Sequence, residues 1–261
     1  MTNEIQVGGM TALEALKASY PQHDEDNYVK NNLPQIRFKA KAVLDDEDKV
    51  VTKAGTFITV VRSEEKNVED KYEYTEVPVG TDITVDVLYE RYKMNYYNSA
   101  DNAYVSSPVF DQKEEVVKLF SNGKQIASGT MTELQAQYMV EKDGKKKSEL
   151  ELLKVLYVLY NGSVHELTLS LGNGFTFRKY KQETQVPLVH TKIGSKKTEY
   201  GGNKYNAMTF TAGEYLTEEE AVKNLELVQD IIKGIKEEKA FYGQATVAEQ
   251  VMTALPSGDD F

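Results

Sequence analysis

Three short stretches set tyrosine among lysine and arginine: LYERYKMNYYN from Leu88, RKYK from Arg178, and KIGSKKTEYGGNKY from Lys192. Read as a strand, the first puts Tyr89, Arg91, Lys93, Asn95 and Tyr97 on one face and Tyr92, Met94 and Tyr96 on the other. Sequence-tolerant binding of a single nucleic-acid strand needs this pairing of residue types, aromatic planes on which bases stack and cations that follow the phosphates. Each stacked base contributes about 1–3 kcal/mol, so a few rings suffice. The candidates are Tyr89, Arg91, Lys93 and Tyr97, then Arg178, Tyr180 and Lys181, then Lys196, Lys197, Tyr200 and Tyr205. Arg37, Lys39 and Lys41 are further phosphate contacts. Tyrosine also has high strand propensity, and Tyr–Lys neighbours occur across many sheets with no ligand. The pattern alone therefore leaves both readings open.

Other chemistry has little to work with. The chain has no cysteine and only three histidines, His23, His165 and His190, which removes disulfides, thiolate metal sites and cysteine nucleophiles together. GGM at 8–10 and GNG at 172–174 lack the spacing of a phosphate loop, and GNG reads as part of a hairpin rather than the start of a helix. The acids Asp45, Asp46, Glu47 and Asp48 lack the ladder of a calcium loop and read as a solvated turn. No cofactor, metal or catalytic step is expected. The net charge of −10 is unevenly spread. Residues 1–33 hold two basic against five acidic residues and 217–261 hold four against ten, leaving 25 against 26 between them. A nearly neutral body with acidic ends can carry a basic face.

The elements that must position these residues are mostly strands. QIRFKAKAVL alternates with period two from Gln35, and GTFITVVR, KYEYTEVPV and a long strand over Thr81–Asn98 follow. Asn122-Gly123 and Asn161-Gly162 are hairpin signals, and Leu152–Tyr160, apolar on both faces, reads as a central strand covered on both sides. MTELQAQYMV at 131–140 is helical, a lysine run DGKKKSEL follows it, and FTFRKYKQ reads as a continuation of the sheet. Nine or ten strands with few helices imply a barrel or a sandwich. Thr217 caps a helix expected to run to 242 and to stop at Gly243, with Glu218, Glu219 and Glu220 in its first turn. Its stripe of Val222, Leu225, Val228, Ile232 and Ile235 either packs on its own domain or forms an oligomer contact. The expected organisation is an N-terminal segment 1–33, a β body 34–216, the helix 217–242 and a mobile tail 243–261. No membrane span and no secretory signal are visible, which places the chain in the cytoplasm.

The chain ends PSGDDF. An acidic tip closing on phenylalanine after a loose spacer resembles the C-terminus of bacterial and phage single-stranded DNA-binding proteins. The resemblance covers the last five residues and the order of β body, spacer and tip. It implies an elaborated OB-fold-like antiparallel barrel whose aromatics stack bases, in a mainly β chain with a C-terminal α-helix. It also implies a cytoplasmic role in phage or bacterial DNA replication, recombination or repair. Single-stranded DNA would be one partner, and replication or recombination proteins docked by Asp259, Asp260 and Phe261 would be others. This chain departs from the pattern in having no tryptophan and no proline directly before Phe261. The alternative is a β-sandwich structural or assembly protein of a virion, which needs no basic face. In the first case, deleting Asp259–Phe261 tightens DNA binding and abolishes recruitment of a partner enzyme, as measured by oligonucleotide titration and pull-down; no change in either shows the tip to be a bare terminus.

Overall fold

The computed structural model describes residues 6–7, 10–11, 33–44, 47, 49–66, 72–122, 124–142 and 144–253. A small ladder, β1 (Gln6–Val7) with β2 (Met10–Thr11), precedes the body; the helical pattern expected after Thr11 lies outside the described residues. The alternating stretch forms β3 (Gln35–Lys39), and β4 (Val43–Leu44) pairs with β5 (Val50–Thr52) around the acidic turn. Next come β6 (Thr56–Lys66), β7 (Tyr72–Gly80), and β8 (Ile83–Asn98), 16 residues long. Then follow β9 (Ala103–Ser106), β10 (Val117–Ser121), β11 (Lys124–Gly129), α1 (Met131–Gln137), β12 (Met139–Lys142) and β13 (Lys145–Ser148). The hairpin β14 (Glu151–Tyr160) and β15 (Ser163–Leu169) leads into α2 (Leu171–Glu183), the hairpin β16 (Val189–Tyr200) and β17 (Asn203–Tyr215), and α3 (Glu218–Thr253).

The protein is mainly β with a C-terminal helix. Nine strands run in the order β11-β10-β9-β8-β14-β15-β3-β6-β7, and β16–β17 branches from the beginning of β8 through Ile83–Val85. Every pairing in this sheet is antiparallel except β15 with β3. The path from β3 through β15, β14, β8 and β16 curls until β17 meets β3 again, where the Asn206 N–H donates to the Ala40 carbonyl at 2.9 Å. No ladder joins those two strands, so among the described residues the expected barrel is not closed.

Strand β8 is the spine, and a bulge sets its faces. Tyr157 of β14 pairs with Tyr89 and Val158 with Val87, so Leu88 is an extra residue. Ile83, Val85 and Val87 therefore point into one core with Leu156, Val158, Leu167 and Ile193, while Leu88 points into another. That second core lies under α3, where Ala221, Leu225, Val228, Ile231 and Ile235 cover Val155 and Tyr157. The stripe of α3 thus packs on its own sheet, each large side chain contributing about 1.5–3 kcal/mol by burial. Thr217 and Glu220 cap α3 reciprocally: the Thr217 N–H donates to Glu220 Oε2 at 2.8 Å, and the Glu220 N–H to Thr217 Oγ1 at 3.3 Å. Buried Asp86 of β8 fastens the next turn of the same helix, accepting from Asn224 Nδ2 at 2.9 Å and lying 2.6 Å from His190 Nδ1. A third core, around Met94, Phe110, Leu119 and Leu134, belongs to the insertion between β8 and β14.

Two expectations are corrected. FTFRKYKQ is helical, not extended: Asn173, Phe177 and Tyr180 recur at helical spacing on the buried side of α2. Burial against β17, with the Met208 N–H donating to Asn173 Oδ1 at 3.0 Å, overrides the alternating pattern. GNG at 172–174 accordingly opens a helix. The terminal helix runs through Gly243 to Thr253, so 243–253 is helical; one interior glycine costs only about 1 kcal/mol.

Gly55 holds the β16–β17 hairpin against the body. Its φ is +82°, and a β-carbon there would stand 2.7 Å from Ser195 Oγ and 3.1 Å from the Asn206 side chain. Gly55→Ala is expected to lower stability by about 1–3 kcal/mol in urea unfolding; an unchanged midpoint would show that the hairpin gives way freely.

Candidate nucleic-acid interface

The buried side of α2 leaves its neighbouring side, Leu171, Phe175, Arg178 and Gln182, at helical spacing toward β8 and β14. Between them lies a groove of about 700 Å³. The Phe175 ring stands 61% exposed at its edge, and Leu171 is 42% exposed. Four cations line it: Lys113, Lys154, Arg178 and Lys181. Lys154 Nζ is 4.8 Å from the centre of the Tyr92 ring, and Lys113 Nζ is 5.7 Å from it, both within cation–π range. At the floor, buried Glu90 meets Lys154 Nζ at 3.1 Å and Lys181 Nζ at 2.5 Å. Burial opposes its ionisation, but the two ammonium groups outweigh that and hold the carboxyl below its ordinary range. The groove thus presents rings and four cations together with three carboxylates, Glu90 at its floor and Asp111 and Glu114 on its lining.

The sequence-derived candidates fall in several places. Arg178 and Lys181 line this groove. Lys41, Lys197 and Tyr205 line a second cleft of about 770 Å³, with Lys204, between the chain after β3 and the β16–β17 hairpin. Lys196 pairs with Ala207 and shares its face with Tyr205, opposite to Lys197; Tyr200 ends β16 opposite Asn203. Arg37, Lys39 and Lys93 project from the outer face of β3, β15, β14 and β8, the face that also carries Thr168 and Glu166. There Arg37 and Lys39 are already met by Glu76, at 3.4 and 3.3 Å. Tyr97 is 46% exposed and packs on Tyr104, 61% exposed, with ring centres 4.9 Å apart at the β8–β9 turn. Asp259, Asp260 and Phe261 lie outside the described residues.

Three candidates are corrected by burial. Arg91 is wholly inside, its Nε 2.8 Å from Asp111 Oδ1, because the bulge and the following loop enclose it. Tyr180 is a core residue that stacks on Phe210 and meets Thr191 Oγ1 at 3.0 Å. Tyr89 packs under α3, where burial first and the Asp111 charge second push its phenol up to about 12. Conversely, Phe175, Lys154, Lys113 and Tyr92 belong to the groove and were not singled out. Reading 171–183 as a helix would have found Phe175, since Leu171, Phe175, Arg178 and Gln182 then share a side.

Glu166 distinguishes the outer face from the groove. Burial raises its carboxyl above the ordinary value, and Lys93, Thr168 and Arg91 only partly offset this. A raised value in the fold means that the carboxylate opposes folding at neutral pH. Glu166→Gln is expected to stabilise the protein in urea unfolding at pH 7, with the gain disappearing below about pH 4, where the carboxyl is protonated in both states. Loss of stability at pH 7 would show that the Lys93 attraction outweighs burial.

Among the described residues no group of three or more acidic or histidine side chains is placed to hold a metal ion, and no helix is long and apolar enough to cross a membrane. Comparison with protein-family models, with curated proteins and with solved structures finds no match to this chain.

Proposed function

We propose that the protein binds single-stranded DNA without regard to sequence, as a non-enzymatic component of phage or bacterial replication or recombination. Its body would be an elaborated, partly open OB-type barrel. The connectivity supports this reading. Strands β8, β14 and β15 form an antiparallel meander, α2 follows, β16 returns beside β8, and β17 pairs with β16. That is the order of a five-stranded Greek-key barrel with a helix at one end, a scaffold used for oligonucleotides. Phe177 and Tyr180 of α2 plug its core. The insertion between β8 and β14 and the strands β3 to β7 are then additions.

Fold alone does not assign function, and the site carries the argument. The observation that carries it is the Phe175 ring, 61% exposed beside Lys113, Lys154, Arg178 and Lys181. An apolar ring in water among cations suits an unstacked base with its phosphates. Duplex DNA keeps its bases stacked and offers such a ring nothing. α3 covers the centre of the outer β14 face, whereas the groove beside α2 and the cleft at the β16–β17 hairpin are open concavities with cations on their lining. The tip Asp259, Asp260 and Phe261 would recruit partner proteins. The virion-assembly alternative draws no support from α3, whose stripe is occupied by its own sheet.

Titration with oligo-dT at two salt concentrations tests this reading. Binding is expected at low salt and to weaken steeply as salt rises, because phosphate contacts release counterions. Phe175→Ala is expected to weaken binding by about 1–3 kcal/mol with the fold intact by circular dichroism. No binding at low salt would reject the proposal.

A further inference from the structure

A second cavity of about 520 Å³ lies next to the groove beside α2, bounded by Met139 of β12, Lys146 and Lys147 of β13, and the end of α1. Leu152 and Leu171 line both cavities, so the two adjoin. Three large apolar side chains stand open along them: Phe175 at 61%, Leu171 at 42% and Met139 at 45% exposure. Lys146 and Lys147, both exposed, line the far end with Glu151, and Lys113, Lys154, Arg178 and Lys181 line the near end with Glu90, Asp111 and Glu114. Apolar surface between two ends in whose linings cations outnumber carboxylates fits one extended polyanion with apolar faces. It fits poorly to a mononucleotide, which would use one end only.

We infer that the β12–β13 hairpin and α2 together form a continuous track for an extended single strand, with Lys146 and Lys147 as phosphate contacts distal to Phe175. This inference rests on the reading of the α2 groove as a single-strand site. The residues from Leu171 to Lys181 alone span about 15 Å at about 1.5 Å per residue. With the hairpin added, the track accommodates several nucleotides, within the roughly 4–16 that one OB fold covers. The lysines belong to the insertion between β8 and β14, so this chain's own elaboration, rather than its barrel strands, sets the length of DNA bound.

The length dependence tests it. The full chain and its K146E/K147E variant are titrated with dT4 and with dT12 at matched salt, and a K233E/K236E variant, altered on α3 across the sheet, controls for net charge. The two lysines of β13 are exposed, and circular dichroism checks that their replacement leaves the fold intact. The expected result is unchanged dT4 binding and about tenfold weaker dT12 binding for K146E/K147E, with its salt slope shallower by about 1.4 for two lost single-strand contacts. The control is expected to show no such dependence on length. Equal affinity of variant and parent for dT12, an equal loss on both lengths, or the same length-dependent loss in the control overturns the inference. Failure of the parent chain to bind either length at low salt is a separate result, and it overturns the single-strand reading of the groove itself.

Discussion

Leu156 and Val158 of β14 point into the core inside the curled sheet, while Val155 and Tyr157 of the same strand point the other way, and all four are removed from water. A strand apolar on both faces must be covered on both, and a single curled sheet covers only its inside. The inner side is closed by α2 with β16 and β17, the outer side by α3. The constraint reaches the site directly. α2 is held where its Phe177 and Tyr180 fill the core, and this turns Phe175 and Arg178 toward β8 and β14. Covering the outer face with α3 likewise withdraws that face from any ligand at its centre.

The bulge at Leu88 is the second device. By inserting one residue it lets β8 serve three cores in succession: Val85 and Val87 in the first, Leu88 in the second, Met94 in the third. Beyond the bulge, Glu90 and Arg91 alternate to opposite sides of the strand, and both are buried. Each buried charge then needs its own partner. Arg91 takes Asp111, and Glu90 takes Lys154 and Lys181. Two of the groove's cations, Lys154 and Lys181, are thus held by an internal carboxylate, while Lys113 and Arg178 complete the cations of its lining.

Features controlled by neighbours in the chain were legible in the residues. Asn161 and Gly162, with φ of 48° and 79°, make the two-residue turn that their types demand. Thr217 with Glu220 makes the capping box, and Thr130 with Glu133 makes another at the short helix over 131–137. The long strand ending at Asn98 and the two-sided burial of β14 followed from periodicity and composition. Features set by distant partners were not legible. FTFRKYKQ alternates like a strand, yet the Asn173 contact to Met208 and the packing of Phe177 make it a helix. Arg91 lies among tyrosines and lysines like a surface cation, yet a loop twenty residues away encloses it with Asp111.

The sequence by itself therefore determined that the chain is mainly β, where its hairpins turn, where its last helix begins, and that its cations are interleaved with rings. Turn chemistry, capping and period-two burial act over a few residues, so they are written in the local order of side chains. Only the tertiary structure decided which of those cations and rings meet. Phe175, Tyr92, Lys113 and Lys154 come from four separate segments, and the groove exists because covering β14 twice brings α2, β8 and the insertion against one another. Such adjacency depends on contacts between residues far apart in the chain, which no local pattern encodes.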